Sequence, residues 1–361
     1  MNKKSVLIGI SGGVDSAVAA HLLQNAGYHV EGLYLYNGFP TRSEEDAARV
    51  CDIIGIPLHT LDITASFRKD IVDYFISDYL AARTPNPCIV CNKRIKFTYL
   101  LNEADRHSLD FIATGHYARI ENVGGSHGLR LRRGRDRKKD QTYFLYMLGQ
   151  MELARLLFPN AELTKEEIKT IGAELGLGKL SDRESQEICF IPDNSYRKFI
   201  EETIFPSPFK PGNIVDREGS VVGTHRGIYS VTVGQRKGLN IASKRPYYVL
   251  ALDKEKNEVI VGRDEDQYCN GLVADCVSWV SPDVRSQNPI PARTHIRYRH
   301  RGVESEIERV GIENENSGSG ETVRVTFVTP QKAVAPGQAA VFYQNDILIG
   351  GGWIREGVRY G

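Results

Sequence analysis

The first half of this 361-residue chain is predicted to fold as an α/β domain, followed by a small β-rich domain and a C-terminal β-barrel. Three observations carry that expectation. Strand and helix patterns alternate up to about Glu202. A proline-rich stretch, Phe205-Pro206-Ser207-Pro208-Phe209-Lys210-Pro211-Gly212, interrupts the chain. Beyond it come only β runs, short at first and longer after Leu272. The expected domains span 1–203, 204–271 and 272–361. Strands alternating with helices imply a parallel sheet whose ligands gather at the C-terminal ends of the strands.

The first strand is the apolar run Val6-Leu7-Ile8-Gly9-Ile10. It feeds Ser11-Gly12-Gly13-Val14-Asp15-Ser16 and a helix from Ser16 to about Gln24. A glycine pair between strand and helix lets backbone N–H groups turn toward an anion, and the helix N-terminus adds partial positive charge. No Gly-Lys-Ser/Thr follows, so the loop is not a Walker A motif. Asp15 stands where that lysine would be, a carboxylate suited to Mg²⁺ on a pyrophosphate, flanked by the hydroxyls of Ser11 and Ser16.

Val30–Tyr36 and Leu58–Ile63 have the composition of strands. Between them Ser43 starts a helix with an apolar face of Ala47, Val50, Cys51 and Ile54, which makes Cys51 a buried packing residue. Asp110–Ala118 is expected to be one further strand, ending in Thr114-Gly115-His116-Tyr117. Thr164 and Glu167 form a capping box for a helix running to Leu175. Past the proline-rich linker, β runs are expected at Asn213–Asp216, Val221–Gly223, Tyr247–Leu252 and Glu258–Gly262. Longer strands follow at Val273–Trp279, Thr294–Arg299, Val323–Phe327 and Ala339–Tyr343, with Glu313–Gly320 as an exposed hairpin loop.

Forty-six basic residues against 45 acidic ones leave the chain nearly neutral, so any nucleic-acid binding has to come from local clusters. Neither a cleavage signature nor a run of about 18 apolar residues is present, and a cytoplasmic protein without a membrane partner is expected. In a reducing compartment six cysteines point to reactive, metal-binding or buried thiols rather than structural bridges. Besides the packing residue Cys51, three of them stand in the first domain. Cys88 and Cys91 lie in Thr84-Pro85-Asn86-Pro87-Cys88-Ile89-Val90-Cys91-Asn92-Lys93-Arg94-Ile95-Lys96-Phe97, and Cys189 in Glu184–Pro192. The prolines hold off helix until Pro87, and a helix is expected from Asn92 to Leu101. Its N-terminus, with Lys93, Arg94 and Lys96, is expected to lower the thiol pKa values. A zinc site would want a fourth ligand that this set lacks.

The Ser11–Ser16 loop resembles the PP-loop of the ATP pyrophosphatases, whose domain is of the adenine nucleotide alpha hydrolase-like kind. The whole chain resembles the tRNA-specific 2-thiouridylases of the MnmA type. That resemblance rests on the loop, Thr84–Phe97, Ala113–Tyr117, Lys139-Asp140-Gln141-Thr142-Tyr143-Phe144-Leu145, Glu187–Ile191, Gly234–Leu239 and Pro336-Gly337-Gln338-Ala339, in that order. It implies ATP-dependent 2-thiolation of the wobble uridine: adenylation of the uracil C2 oxygen, then sulfur transfer from a cysteine persulfide. ATP would meet Gly9, Ile10, Ser11, Gly12, Gly13, Val14, Asp15, Ser16, Leu35 and Gly115, with Mg²⁺ near Asp15. The target base would meet Asn86, Pro87 and Cys88. Cys91 would be the nucleophile and Cys189 the persulfide carrier, supplied by a cysteine desulfurase or sulfur-relay protein. The tRNA would be held by His116, Lys139, Asp140, Gln141, Arg297, Tyr298 and Gln338.

Two departures stand out. Cys88 occupies a position where some of these enzymes carry aspartate, which opens an alternative: a [4Fe–4S] cluster on Cys88, Cys91 and Cys189. The segment between Tyr36 and Ser43 is also shorter than the family often has. A different class, an inactive tRNA-binding or sulfur-carrier paralogue, is disfavoured by the intact loop and the two cysteines. Two basic clusters suit tRNA phosphates. Arg130, Arg132, Arg133, Arg135, Arg137, Lys138 and Lys139 form one, with a solvated basic turn as its simpler explanation. Arg293, Arg297, Arg299 and Arg301 form the other, expected on a strand with Arg297, Arg299 and Arg301 on one face.

Overall fold

Val6, Leu7 and Ile8 are fully buried, the pattern of a strand covered on both faces at the centre of a parallel sheet. They belong to β1 (Ser5–Gly9) in a computed structural model of the chain. The structure describes residues 3–39, 43–124, 128–178, 188–191, 195–204, 210–284, 286–313 and 320–359. β1 pairs in parallel with β2 (His29–Tyr36) and β4 (Phe111–Ala113). β3 (Leu58–Asp62) and β7 (Leu156–Leu157) complete the order β3-β2-β1-β4-β7.

Helices cover both faces. Val6 and Ile8 pack with residues of α1 (Val14–Asn25) and α2 (Glu44–Ile54), where Cys51 is buried as expected. Ser43 caps α2 by accepting from the Asp46 N–H at 3.1 Å. The other face carries a helical run of α3 (Thr64–Phe67), wide i→i+5 turns over Arg68–Val72, and α4 (Asp73–Leu80). A second run on that face comprises α5 (Pro87–Val90), wide turns over Cys91–Phe97, and α6 (Thr98–Arg106). The helix at the cysteine motif therefore starts at Pro87, earlier than the sequence suggested, because proline is well placed at a first helical position. α7 (Gln150–Arg155), α8 (Lys165–Glu174) and α9 (Tyr196–Thr203) complete the helices used below, and α8 carries the expected capping box.

The strand expected over Asp110–Ala118 is two strands in two sheets. β4 ends at Ala113, and β5 (Ala118–Asn122) pairs with β6 (Leu129–Arg133). The chain leaves the sheet between them because Gly115 sits against the start of α1. A Cβ there would lie 2.8 Å from the Asp15 carbonyl oxygen.

The β5–β6 hairpin joins the barrel sheet through Ile347↔Arg132 and Leu348↔Leu131. The barrel itself has the order β12 (Tyr268–Trp279), β15 (Gly320–Lys332), β14 (Val303–Glu313), β13 (Ile290–His295), β16 (Ala339–Gln344) and β17 (Ile347–Val358). Pairing of β12 with β17 closes it. Leu272, Ile290, Val323, Val325 and Phe342 fill its interior. The smaller sheet between the two large units has the order β10 (Tyr248–Asp253), β11 (Glu258–Gly262), β8 (Gly212–Val215), β9 (Val221–His225).

One expected strand fails. β13 ends at His295, and residues 296–300 form the turn into β14, with the His300 N–H donating to the Arg297 carbonyl at 3.0 Å. Thr294 already pairs with Val303, so the chain has to reverse there. Arg297, Arg299 and Arg301 therefore do not share a strand face. Glu313 and Gly320 pair across β14 and β15, while the loop residues 314–319 and linker residues 205–209 lie outside the described residues. Among the described residues no helix is long and apolar enough to cross a membrane.

Candidate active site

Gly12 adopts φ +72, and the loop it opens is cinched by its own hydroxyls. Ser16 Oγ donates to the Gly13 carbonyl at 2.9 Å and accepts from the Ser11 N–H at 3.2 Å. No side chain caps α1 at Gly13, whereas Ser43 and Thr164 cap α2 and α8. First-turn N–H groups without a side-chain cap are anion donors. Asn160, fully buried, locks the arrangement by donating to the carbonyls of Asp15 (3.0 Å) and Gly115 (3.1 Å).

Asp15 is already engaged. Lys165 Nζ donates to both of its carboxylate oxygens, at 2.6 and 2.7 Å, and the Tyr117 hydroxyl donates to Oδ1 at 2.6 Å. Sequence reasoning had not singled out Lys165 or Asn160. Lys165 carried a usable signal: a lysine in the first turn of a helix opposes the helix dipole and so calls for an acidic partner. Here that partner is Asp15.

The thiols come together on the sheet face opposite α1. Cys91 is buried with Phe75, Ile95 and Phe190, the residue next to Cys189, while Cys88 is half-buried and Cys189 exposed. Cys189 raises the thiols of both Cys88 and Cys91, and Cys88 raises that of Cys91. Burial pushes Cys88 up to about 11, with Cys189 adding to the rise and Lys96 opposing it. Burial pushes Cys91 up to about 12 against the opposing charge of Lys96. Crowding by protein raises the Cys189 thiol as well, although the residue as a whole is exposed, and Lys96 again opposes. The expected lowering of thiol pKa is therefore overturned: desolvation of the thiolate outweighs the helix terminus and the nearby cations. Two of those cations are committed elsewhere, Lys93 to Glu152 and Arg94 to Asp70 at 4.0 Å.

His116 links the two halves of the site. Its Nδ1 meets Thr114 Oγ1 at 2.8 Å, its ring centroid lies 5.8 Å from that of Phe97, and burial together with Lys96 drops its pKa to about 3, so it is neutral. Leu35 packs against both the sheet core and the cluster that holds Cys91.

The barrel holds the segment that leads into the cysteine motif. Gln338 Nε2 donates to the carbonyls of Thr84 (3.0 Å) and Pro85 (3.2 Å), and the Thr84 N–H donates to the Pro336 carbonyl at 2.8 Å. Gly337 takes φ +87, and a Cβ there would lie 2.9 Å from the Thr84 nitrogen. Arg83 pairs with the buried Asp78 just before this segment. Tyr143 donates to the Ala339 carbonyl at 3.0 Å, and Asn92 to the Phe144 carbonyl at 3.1 Å. Tyr298 packs on Phe144 with centroids 4.5 Å apart, beside the exposed Arg297. Gln141 is doubly hydrogen-bonded to the Tyr117 backbone at 3.1 Å, and Asp140 sits 3.7 Å from Arg133 while accepting from Thr142.

Five arginines of the basic run carry acidic partners. Arg130 pairs with Asp283 at 2.7 Å, Arg132 with Glu121 and Asp346, and Arg133 with Asp140. Arg135 pairs with Glu167, and Arg137 with Asp346. These arginines fasten the β5–β6 hairpin to its neighbours.

A nucleotide-type α/β domain with a thiol cluster, braced by a closed β-barrel, defines a three-part protein of the HUP class. Residues 4–193 match the family described as tRNA methyl transferase HUP domain. Residues 197–263 match its PRC-barrel domain, and residues 269–354 the aminomethyltransferase beta-barrel domain. A curated relative from Syntrophus aciditrophicus, tRNA-specific 2-thiouridylase MnmA 2, is 48% identical over 91% of this chain and 99% of its own length. The tRNA-specific 2-thiouridylase MnmA of Desulfitobacterium hafniense is 42% identical over 98% of both chains, and that of Clostridium perfringens 41% over 99% of both. The chain belongs to the tRNA-specific 2-thiouridylase family.

Proposed function

We propose that this chain is a tRNA-uridine 2-sulfurtransferase that uses ATP to activate the C2 oxygen of the wobble uridine and replaces that oxygen with sulfur. The observation that carries the reading is the thiol cluster of Cys88, Cys91 and Cys189 around Lys96, joined through His116 and Gly115 to the loop at the start of α1. Near-full-length likeness to named 2-thiouridylases supports it.

In this reading Gly9, Ile10, Ser11, Gly12, Gly13, Val14, Asp15, Ser16, Leu35 and Gly115 surround ATP, the loop amides receiving its phosphates. The C2 oxygen attacks the α-phosphorus and pyrophosphate departs. A carbonyl oxygen that could not leave becomes part of AMP, which can. Sulfur arrives as the terminal atom of a Cys189 persulfide, loaded by a cysteine desulfurase or relay protein. The Cys91 thiolate attacks Cys189 Sγ. The sulfur–sulfur bond of the persulfide breaks, its electron pair leaves with the terminal sulfur toward C2, and a Cys91–Cys189 disulfide remains. A thiol reductant then returns both cysteines, which fits a reducing cytoplasm. Asn86, Pro87 and Cys88 flank the base, which must leave its stack to reach them.

Both Asp15 oxygens are held by Lys165 and Tyr117, so this carboxylate is not an open Mg²⁺ ligand, and no step is assigned to the ion. The [4Fe–4S] alternative on the three cysteines is not favoured. Lys139, Arg297 and Tyr298 are the proposed tRNA contacts, with His116, Asp140, Gln141 and Gln338 shaping the surface around them. The proposed division of labour is catalysis by 1–203, a connecting role for 204–271 and tRNA contact by 272–361.

The test is ATP–pyrophosphate exchange with and without tRNA, beside 2-thiouridine formation from a persulfide donor. Exchange that needs tRNA, and thiolation lost in both Cys91→Ser and Cys189→Ser, is expected. Exchange without tRNA would overturn the proposal in favour of small-molecule adenylation. Thiolation surviving Cys189→Ser would overturn the sulfur route.

A further inference from the structure

The N-terminal ends of the strands, at the far edge of the sheet from the loop and thiols, carry a second group of chemically able side chains. His29 opens β2, level with Ser5 at the start of β1. Glu31 follows two residues later on the same face, and His59 is the second residue of β3. His107 caps the C-terminal end of α6, with Glu103 one turn before it.

Ligand atoms of Glu31, His59 and His107 all lie within 4.8 Å of one another. Glu31 Oε2 is 2.6 Å from His59 Nε2, and Glu31 Oε1 is 3.0 Å from His29 Nε2. The rings of His59 and His107 face each other with centroids 4.2 Å apart and planes tilted by 41°. Glu103 Oε2 stands 3.7 Å from His107 Nε2. The Glu31 side chain is only 16% exposed.

We infer that Glu31, His59 and His107 form a site for a divalent transition cation of the zinc class. Two imidazoles and a carboxylate from three separate elements are the donor set such an ion takes, at about 2.0–2.2 Å, with a fourth position left for water. Those bond lengths place neighbouring donors about 3.3 Å apart, within the separation present here. His29 and Glu103 supply the outer contacts that fix ligand orientation, His29 on the second oxygen of Glu31 and Glu103 on the His107 ring. The proton now shared between Glu31 and His59 is the one the ion displaces, and it leaves to solvent.

The ion's structural consequence is specific. β3 is an edge strand of the five-stranded sheet, and a bound cation ties it and β2 to the end of α6. The effect falls on stability rather than turnover, because the site lies at the opposite ends of the strands from the loop.

The experiment is a Co²⁺ titration of the full chain, kept reduced with a phosphine, followed by thermal unfolding with Zn²⁺ alone. Histidine and carboxylate ligands give weak visible cobalt bands. Cysteine ligands add intense near-ultraviolet sulfur-to-metal absorption, which separates this site from the thiols. Expected are visible bands saturating at about one equivalent, unchanged in Cys91→Ser and weakened about tenfold or more in affinity in His59→Gln and His107→Gln. A raised unfolding midpoint with Zn²⁺, absent in Glu31→Gln, should accompany them. His107→Gln lies at an exposed helix end, which keeps the test independent of folding. Absent bands, bands unchanged in His107→Gln, or bands carrying only the sulfur signature would each overturn the inference and leave a hydrogen-bonded cluster.

Discussion

Lys96 opposes the pKa rise of Cys88, Cys91 and Cys189 alike, so Lys96→Met is the perturbation that probes the thiol chemistry most directly. With the Cys91 thiol pushed up to about 12, ~10⁻⁴ of it is thiolate at about pH 8. A free cysteine at that pH is ~10⁻¹ thiolate, so alkylation of Cys91 should be slower by ~10³. Removing Lys96 takes away a charge that favours the thiolate. The pKa rises further and the rate falls at every pH. The assay is iodoacetamide labelling resolved by mass spectrometry, from about pH 7 to about pH 11, with the exposed Cys276 as internal reference. The Cys91 rate should climb roughly tenfold per pH unit without levelling. Linkage gives the same sign for stability. The folded-state value lies above the unfolded one, so the contribution of the buried thiol is full below about pH 8.5 and is lost as pH rises toward 12. A plateau in the Cys91 rate below about pH 9 would refute the argument that burial sets this thiol, and a variant that labels at the wild-type rate would refute the opposing role of Lys96.

Asp15→Ala should abolish thiolation while tRNA affinity stays nearly unchanged, checked by filter binding beside 2-thiouridine formation; turnover at the wild-type rate would remove the loop from the reaction. Gly337→Ala places a Cβ against the Thr84 backbone at φ +87 and should cost about 2–4 kcal/mol in urea unfolding, with a matching loss of activity. Cys88→Ser should keep partial activity and contain no iron, whereas a dead variant made from an iron-containing parent would favour the cluster. Lys138→Ala with Lys139→Ala should flatten the salt dependence of tRNA binding by about one to two units of slope. Alanine at Arg130 and Arg132, which are paired internally, should act mainly on stability, and denaturation of both pairs of variants separates the two effects.

Local chemistry made much of the fold legible in the amino-acid order. A continuous apolar run buried on both faces specifies β1, Ser43 and Thr164 with their partners three residues on specify the starts of α2 and α8, and period-two patterns specify most barrel strands. The glycine loop was legible for the same reason: its chemistry lies within six consecutive residues. The breaks came where a distant partner overrides a local pattern. Residues 110–118 look like one strand, but Gly115 has to touch Asp15, a hundred residues away. Residues 294–299 alternate, but the pairing of Thr294 with Val303 forces a turn.

Charge and reactivity depend on environment more than on residue type. The arginines of 130–137 form a basic run on paper and a set of ion pairs in space, because their acids lie on other strands and helices. Cys91 sits beside three cations in sequence, yet two of them are drawn off by Glu152 and Asp70, and desolvation raises its thiol instead of lowering it. The amino-acid order by itself determined the α/β class, the loop, the cysteine set and the family, since each rests on short-range pattern. Only the tertiary structure decided that Lys165 holds Asp15 and that a hairpin of the first domain joins the barrel. It alone decided that Gln338, from the far end of the chain, grips the segment before Cys88. Those contacts join residues 150 to 254 positions apart, or across domains, and they form where folding withdraws part of the water from polar groups and sets donors against acceptors.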